Sequence, residues 1–196
     1  MKRISVLLLL VVLVAGSVWG TQGFEYQPDE HTLGLWHFNE ESGNTVIDSS
    51  ENNIKAVING RARWNKNVRW NKNGSGNSFV FDDQGFVTIP AANKTGNKIL
   101  TSVTQSVTVE AWVFANSFEG QDGWKMVVTH WSNQVGKYHL AVRYGIPGFA
   151  VNTTEGSSTA WSPKVLEPYK WYHLAGVYDG SSIKIYINGE LDAEVP

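Results

Sequence analysis

Beyond residue 33 the chain is written in short runs of β-forming residues, each closed within a few positions by Gly, Asn, Asp or Ser. No stretch of it carries a capped helical period. The runs fall at 33–38, 54–58, 78–81, 86–89, 106–114, 125–131, 138–144, 148–152, 171–178, 183–187 and 190–195. Strands this closely spaced, with no helices to cross between them, pair antiparallel and close into a sandwich or barrel. Asn188-Gly189 between the last two runs tolerates the positive φ that both central positions of a type I′ turn require, so it predicts a hairpin. Asp179-Gly180, lengthened by Ser181 and Ser182, predicts another turn. Nine Trp and 19 Gly beside only 17% charged residues agree with an all-β chain.

Alternation assigns faces to these strands. Along 183–187, Ile183, Ile185 and Ile187 point to a core, and Lys184 and Tyr186 to solvent. Along 106–114, Val107, Val109, Ala111 and Val113 share one face, with Thr108, Glu110, Trp112 and Phe114 on the other. A strand with aromatics and an acid on its second face is a central one whose outer side is grooved or partly covered. Residues 138–144 behave alike, with Tyr138, Leu140, Val142 and Tyr144 set against His139, Ala141 and Arg143.

The first twenty residues read differently. Lys2 and Arg3 precede an unbroken apolar run of ten residues, 6–15, and small residues follow at Gly16, Ser17 and Gly20. This is the layout of a secretory signal peptide, and it is shorter than the roughly 20 residues of a membrane span. Cleavage is expected after Ser17 or Gly20, leaving a secreted or surface-exposed protein with no membrane span. Position 17 is Ser rather than Cys, so lipid anchoring is not expected. Residues 21–32, with Pro28, form a short linker, and 33–196 a single domain.

Several chemistries are excluded. Sixteen Lys and Arg against 18 Asp and Glu leave a net charge of −2, so bulk charge supports no nucleic-acid binding. With no Cys there is no disulfide, thiolate metal site or Cys nucleophile. There is no Gly-x-Ser-x-Gly elbow and no phosphate loop. His130, His139 and His173 lie on separate strands, where a hydrogen-bonded strand histidine is the ordinary outcome.

The order of segments carries a resemblance. Leu35-Trp36-His37-Phe38-Asn39-Glu40-Glu41-Ser42-Gly43 with Asp48-Ser49-Ser50, then Ser78-Phe79-Val80-Phe81-Asp82, Phe86-Val87-Thr88-Ile89-Pro90 and Ser106-Val107-Thr108-Val109-Glu110-Ala111-Trp112-Val113 lead to a final pair. That pair is Trp171-Tyr172-His173-Leu174-Ala175-Gly176-Val177-Tyr178-Asp179-Gly180 and Ile185-Tyr186-Ile187-Asn188-Gly189. From Leu33 onward the chain resembles laminin-G-like jelly-roll domains of the concanavalin A-like lectin/glucanase superfamily. The resemblance implies an all-β, antiparallel jelly-roll β-sandwich. Glu51 and Asn52 stand where Gly-Asn is usual in the family. The family's last strand, of the type Phe-x-Gly-x-Ile-Asp-Asp, is lacking before Pro196, so a fragment of a larger protein is expected.

The superfamily's glucanases present a Glu-x-Asp-x-x-Glu cluster, because glycoside hydrolysis needs two carboxylates about 5–9.5 Å apart. Here Glu110 is flanked by Thr108 and Trp112 on its face, so no catalytic residue is expected. The resemblance implies a structural calcium ion, for which Asp48, Asn53 and Glu40, with Asn52, offer oxygens. The alternative is an Asx-turn in which Asp48 holds its own loop. A glycan or an extracellular protein is the expected partner of such a module; a hydrolase fragment or an adhesion spacer are the other readings. Two surfaces compete for that ligand. One is a sheet face with Glu110, Trp112, His139 and Arg143; the other is a loop rim with Trp64, Trp70 and Trp124. The rim contains a tandem repeat, Arg63-Trp64-Asn65-Lys66-Asn67 and Arg69-Trp70-Asn71-Lys72-Asn73, read as an enlarged surface loop. Because Trp70 has little apolar sequence to cover it, the rim is favoured, with Trp70, Arg69, Asn71 and Trp64 as the ligand contacts.

Overall fold

A computed structural model describes residues 26–69, 75–82, 84–90, 106–120, 122–130 and 135–196, together with two N-terminal strands. Of those two strands and of residues 66–69 and 75–76 only the backbone is described. In chain order the strands are β1 (Val6–Leu8), β2 (Val11–Val14), β3 (Thr32–Trp36), β4 (Thr45–Val46), β5 (Ala56–Asn59), β6 (Ala62–Arg69), β7 (Ser75–Phe81) and β8 (Phe86–Thr88). They continue as β9 (Val107–Ala115), β10 (Trp124–His130), β11 (Lys137–Arg143), β12 (Ile146–Thr153), β13 (Gly156–Trp161), β14 (Trp171–Tyr178), β15 (Ile183–Ile187) and β16 (Glu190–Val195). Every pairing between them is antiparallel.

A nine-stranded sheet runs β16-β15-β14-β9-β1-β7-β6, with β2 paired to both β9 and β3. A four-stranded sheet runs β10-β11-β12-β13, and a small sheet joins β4, β5 and β8. The two larger sheets pack face to face. Val107, Val109, Ala111 and Val113 of β9, Leu174 of β14 and the three isoleucines of β15 meet Tyr138, Leu140 and Val142 of β11 and Phe149 and Val151 of β12. Each Val, Leu, Ile or Phe among them contributes about 1.5–3 kcal/mol on full burial. Gly176 lies where β14 passes over Phe149, and a Cβ there would overlap that ring. The predicted jelly-roll sandwich is therefore the fold, and the face assignment read from alternation is the one observed except at Tyr144, which leaves the set of Tyr138, Leu140 and Val142 for an exposed turn.

Both turns obey their sequence. Asn188 and Gly189 have φ of 53° and 85° between β15 and β16. Asp179 accepts from the backbone N–H groups of Ser181 and Ser182 and from the Lys184 ammonium, which together hold its carboxyl far below the usual range.

Three features differ from expectation. The first copy of the repeat is not a loop: residues 62–69 form β6, paired with β7 across a bulge between Asn65 and Val68. Ser- and Gly-rich β13 also escapes a sequence reading, because its six registered pairs with β12 come from a tight hairpin and not from apolar character. Lastly, the N-terminal run, read as a leader apart from the domain, is paired here within the large sheet between β9 and β7 or β3. A run of Val and Leu suits a strand covered on both faces as well as it suits an export signal.

Candidate binding face

The sequence places Glu110, Trp112, His139 and Arg143 on one grooved face; the structure divides them. Glu110 and Trp112 stand on the outward side of β9 in the large sheet, whereas His139 and Arg143 are on the outward side of β11 in the four-stranded sheet. The core lies between the two pairs, because each strand turns its apolar set inward.

On the large sheet the acid has found a partner. Glu110 Oε2 lies 3.3 Å from His173 Nε2, with only 8% and 11% of the two side chains exposed. Directly across from Glu110 are Ala175 and Val12, so no second carboxylate occupies its cross-strand positions. Tyr26 stacks on His173 with centroids 6.3 Å apart, and it joins Trp112 over fully buried Leu35. Burial and the Glu110 charge push the Tyr26 hydroxyl well above its ordinary pKa. This is a covered satellite core, with the backbone carbonyl of Tyr26 fixed by His37 Nε2 at 2.9 Å.

The three calcium candidates do not form a cation site. Asp48 Oδ1 accepts from Leu35 N and Ser50 N at 2.9 Å each. Its Oδ2 accepts from Ser50 Oγ at 2.7 Å and Ile54 N at 2.8 Å. Both oxygens thus face hydrogens, whereas calcium requires six to eight oxygens turned toward it. Asn53 donates Nδ2 to Glu51 O at 2.9 Å, and Glu40 Oε1 accepts from Ile47 N at 2.7 Å. Among the described residues no three His, Cys, Asp or Glu side chains converge to hold an ion. The Asx-turn alternative describes this loop, and the residues do not fit the metal.

At the rim, Trp64 is committed to packing. Its ring meets Phe79 edge-on at 4.6 Å, and its Nε1 donates to Gly43 O at 3.2 Å. Trp70 and Asn71 lie outside the described residues, and of Arg69 only the backbone, paired with Ser75, is described.

The four-stranded sheet presents a different arrangement on its outer side. Register sets Trp124 opposite Arg143, Ala141 opposite Gly148, and Gly148 opposite Trp161. The Trp124 and Trp161 rings stand 5.7 Å apart, and His139 meets Trp124 edge-on at 5.8 Å. Beneath them the floor is Ala141, Gly148 and Ala150; a Cβ at Gly148 would overlap the Trp161 ring, so glycine lets the indole lie down on the strand. The Arg143 guanidinium sits 5.2 Å from the Trp124 centroid and 5.6 Å from that of Tyr144. Tyr144 is 56% exposed and Trp161 36%. Burial lowers the pKa of His139 and His130, the latter also through Lys137, whose Nζ is 3.0 Å from His130 Nε2. Neutral imidazole is the favoured form of both.

The elements around the rings hold them in place. Tyr144 and Gly145, with φ of 50° and 84°, make the two-residue turn between β11 and β12. A bulky residue in the left-handed region is uncommon outside special turns. Tyr144 N donates to Gly123 O at 3.0 Å, and the ring lies over Gly123, where a Cβ would overlap it. Behind Trp161, Ser162 Oγ donates to Asp192 of β16 and Lys164 forms an ion pair with the same carboxylate. Although burial opposes it, these two bonds keep the Asp192 carboxyl below its ordinary pKa.

Sequence reasoning singled out Trp124, His139 and Arg143 but scattered them over two surfaces, and it missed Trp161 and Tyr144. The Tyr144-Gly145 pair, two residues between alternating strands, was the available signal for the second.

A comparison with curated proteins found no match for the chain. Comparison with protein-family models matches residues 81–196 to a laminin G-like family described as the concanavalin A-like lectin/glucanases superfamily. That span holds β8 through β16 and so all of the four-stranded sheet. More than half of the chain is matched, and its two antiparallel sheets pack as such a sandwich does: it belongs to the laminin G-like family of the concanavalin A-like lectin/glucanases superfamily.

Proposed function

We propose that the chain is an exported, non-catalytic binding module that takes a glycan across the outer face of its four-stranded sheet. Laminin G-like domains are in general ligand-binding modules. The observation that carries the reading is the Trp124–Trp161 pair, held over a floor of Ala141, Gly148 and Ala150 with Tyr144 exposed beside it. Sugars offer apolar C–H faces to aromatic rings and hydroxyls to neighbouring polar groups. Ser157 and Thr159 share the outward side of β13 with Trp161 and supply such groups. Rings already fixed by packing lose little conformational entropy when a ligand arrives. Against catalysis stands Glu110, an acid held by His173 with apolar residues across from it. Export rests on Lys2, Arg3 and the apolar run.

The test is calorimetric titration of the parent, Trp161→Ala and Tyr144→Ala proteins with soluble β-glucan, xylan, alginate and dextran. Loss of an aromatic anchor is expected to weaken binding roughly tenfold or more. Melting should stay within about 3 °C of the parent, since both rings are partly exposed. Absence of binding to every polysaccharide, or a Trp161→Ala protein that binds as its parent does, overturns the reading.

A further inference from the structure

Charge on this face is one-sided. The chain as a whole carries more acids than bases, 18 against 16, yet none of the four strands β10 to β13 contains an Asp or Glu. On the outward side of β11 stand Lys137 at one end and Arg143 at the other, six residues and about 20 Å apart along the strand. Lys137 is engaged with His130. Arg143 forms no ion pair among the described residues; its guanidinium is flanked by two rings, Trp124 and Tyr144, and the residue is exposed. The acids that flank the sheet lie in its adjoining loops: Asp122, whose Oδ1 accepts from Trp124 N at 3.3 Å, Glu119, whose carbonyl accepts from Lys125, and, at the Lys137 end, Glu155.

From this juxtaposition we infer that the ligand is an acidic polysaccharide whose uronate carboxylate is taken by Arg143 while its sugar rings lie on Trp124 and Trp161. The inference rests on the glycan-binding reading above and adds the class of sugar. A guanidinium is planar and presents paired N–H donors that match the two oxygens of a carboxylate, a geometry an ammonium lacks. Stacking between rings orients that fork before any ligand comes, and the weak hydration of guanidinium lowers the cost of contact. The four strands themselves bring no carboxylate to the face, and among the described residues none is paired with Arg143. A neutral sugar would use the rings and leave the cation idle.

The experiment compares alginate with carboxyl-reduced alginate, the same backbone without charge, on the parent and on Arg143→Gln, with melting curves recorded for both proteins. The parent is expected to bind alginate roughly tenfold more tightly, the scale of one charge-assisted paired hydrogen bond. That preference should shrink with added salt. Arg143→Gln should bind the two polymers with equal affinity, the preference for alginate being lost, and the melting curves show whether the protein is folded. Equal binding of the two polymers by the parent, or a preference that survives Arg143→Gln, overturns the uronate inference while leaving glycan binding intact. Dextran sulfate bound as tightly as alginate, with the same dependence on Arg143, also overturns it, because simple charge would then suffice. Failure of the parent to bind either alginate or the neutral polysaccharides overturns the glycan reading itself.

Discussion

Asp48 shows how one side chain decides between a metal and a loop. Four donors converge on its two oxygens, and they come from β3, from the loop itself and from Ile54 at its far end. The carboxylate therefore replaces backbone pairing for groups that would otherwise be buried without acceptors. Asp48→Ala is expected to destabilise the chain by at least about 2 kcal/mol, since it strands buried N–H groups. Chelator should leave the parent's melting temperature where it was. A melting temperature lowered by EDTA and restored by calcium would reinstate the ion. Glu110 teaches a similar lesson: an acid expected on a grooved, ligand-accessible face is held under cover by His173.

At the scale of elements, β11 is the axis of the candidate site. Its inward residues join the core, and its outward ones bring His139, Ala141 and Arg143 beneath and beside the aromatic rings. Burial of His139 and, across the hairpin, of His130 on β10 makes this sheet sensitive to acid. Both pKa values are lowered in the folded chain. As pH falls through the ordinary histidine value of about 6.5, the unfolded chain takes up protons that the folded chain refuses. Stability is therefore complete above about pH 6.5 and lost progressively below it. Melting curves from pH 7.5 to 5 are expected to shift downward. In a His139→Asn protein the shift should be smaller. A melting temperature that rises on acidification would contradict the assignment.

For the whole molecule the N-terminal run ties export to the large sheet. Paired between β9 and β7 or β3, β1 and β2 occupy an interior position of the large sheet. As an export signal the same residues would be cut away, and the N–H and C=O groups along β9 would need another strand or water. N-terminal sequencing of exported protein is expected to begin at Val18 or Thr21. Material that begins at Met1 would instead make β1 and β2 permanent strands of the sandwich.

The sequence by itself determined the architecture, because strand alternation, turn dipeptides and the lack of helical period are local signals that act over two to ten residues. Ile183, Ile185 and Ile187 could face only inward, and Asn188-Gly189 could only turn. What the sequence could not determine was which outward faces coincide. Glu110 and His139 share a pattern but not a side, since that depends on which strands join which sheet, a pairing between residues dozens of positions apart. The candidate site was partly legible for the same reason: Trp124 and Arg143 stood out one by one, but the bed of Ala141 and Gly148 that brings Trp161 beside them exists only across three paired strands. Long-range register, and the small residues it lines up under the rings, made that face, and only the tertiary structure carries it.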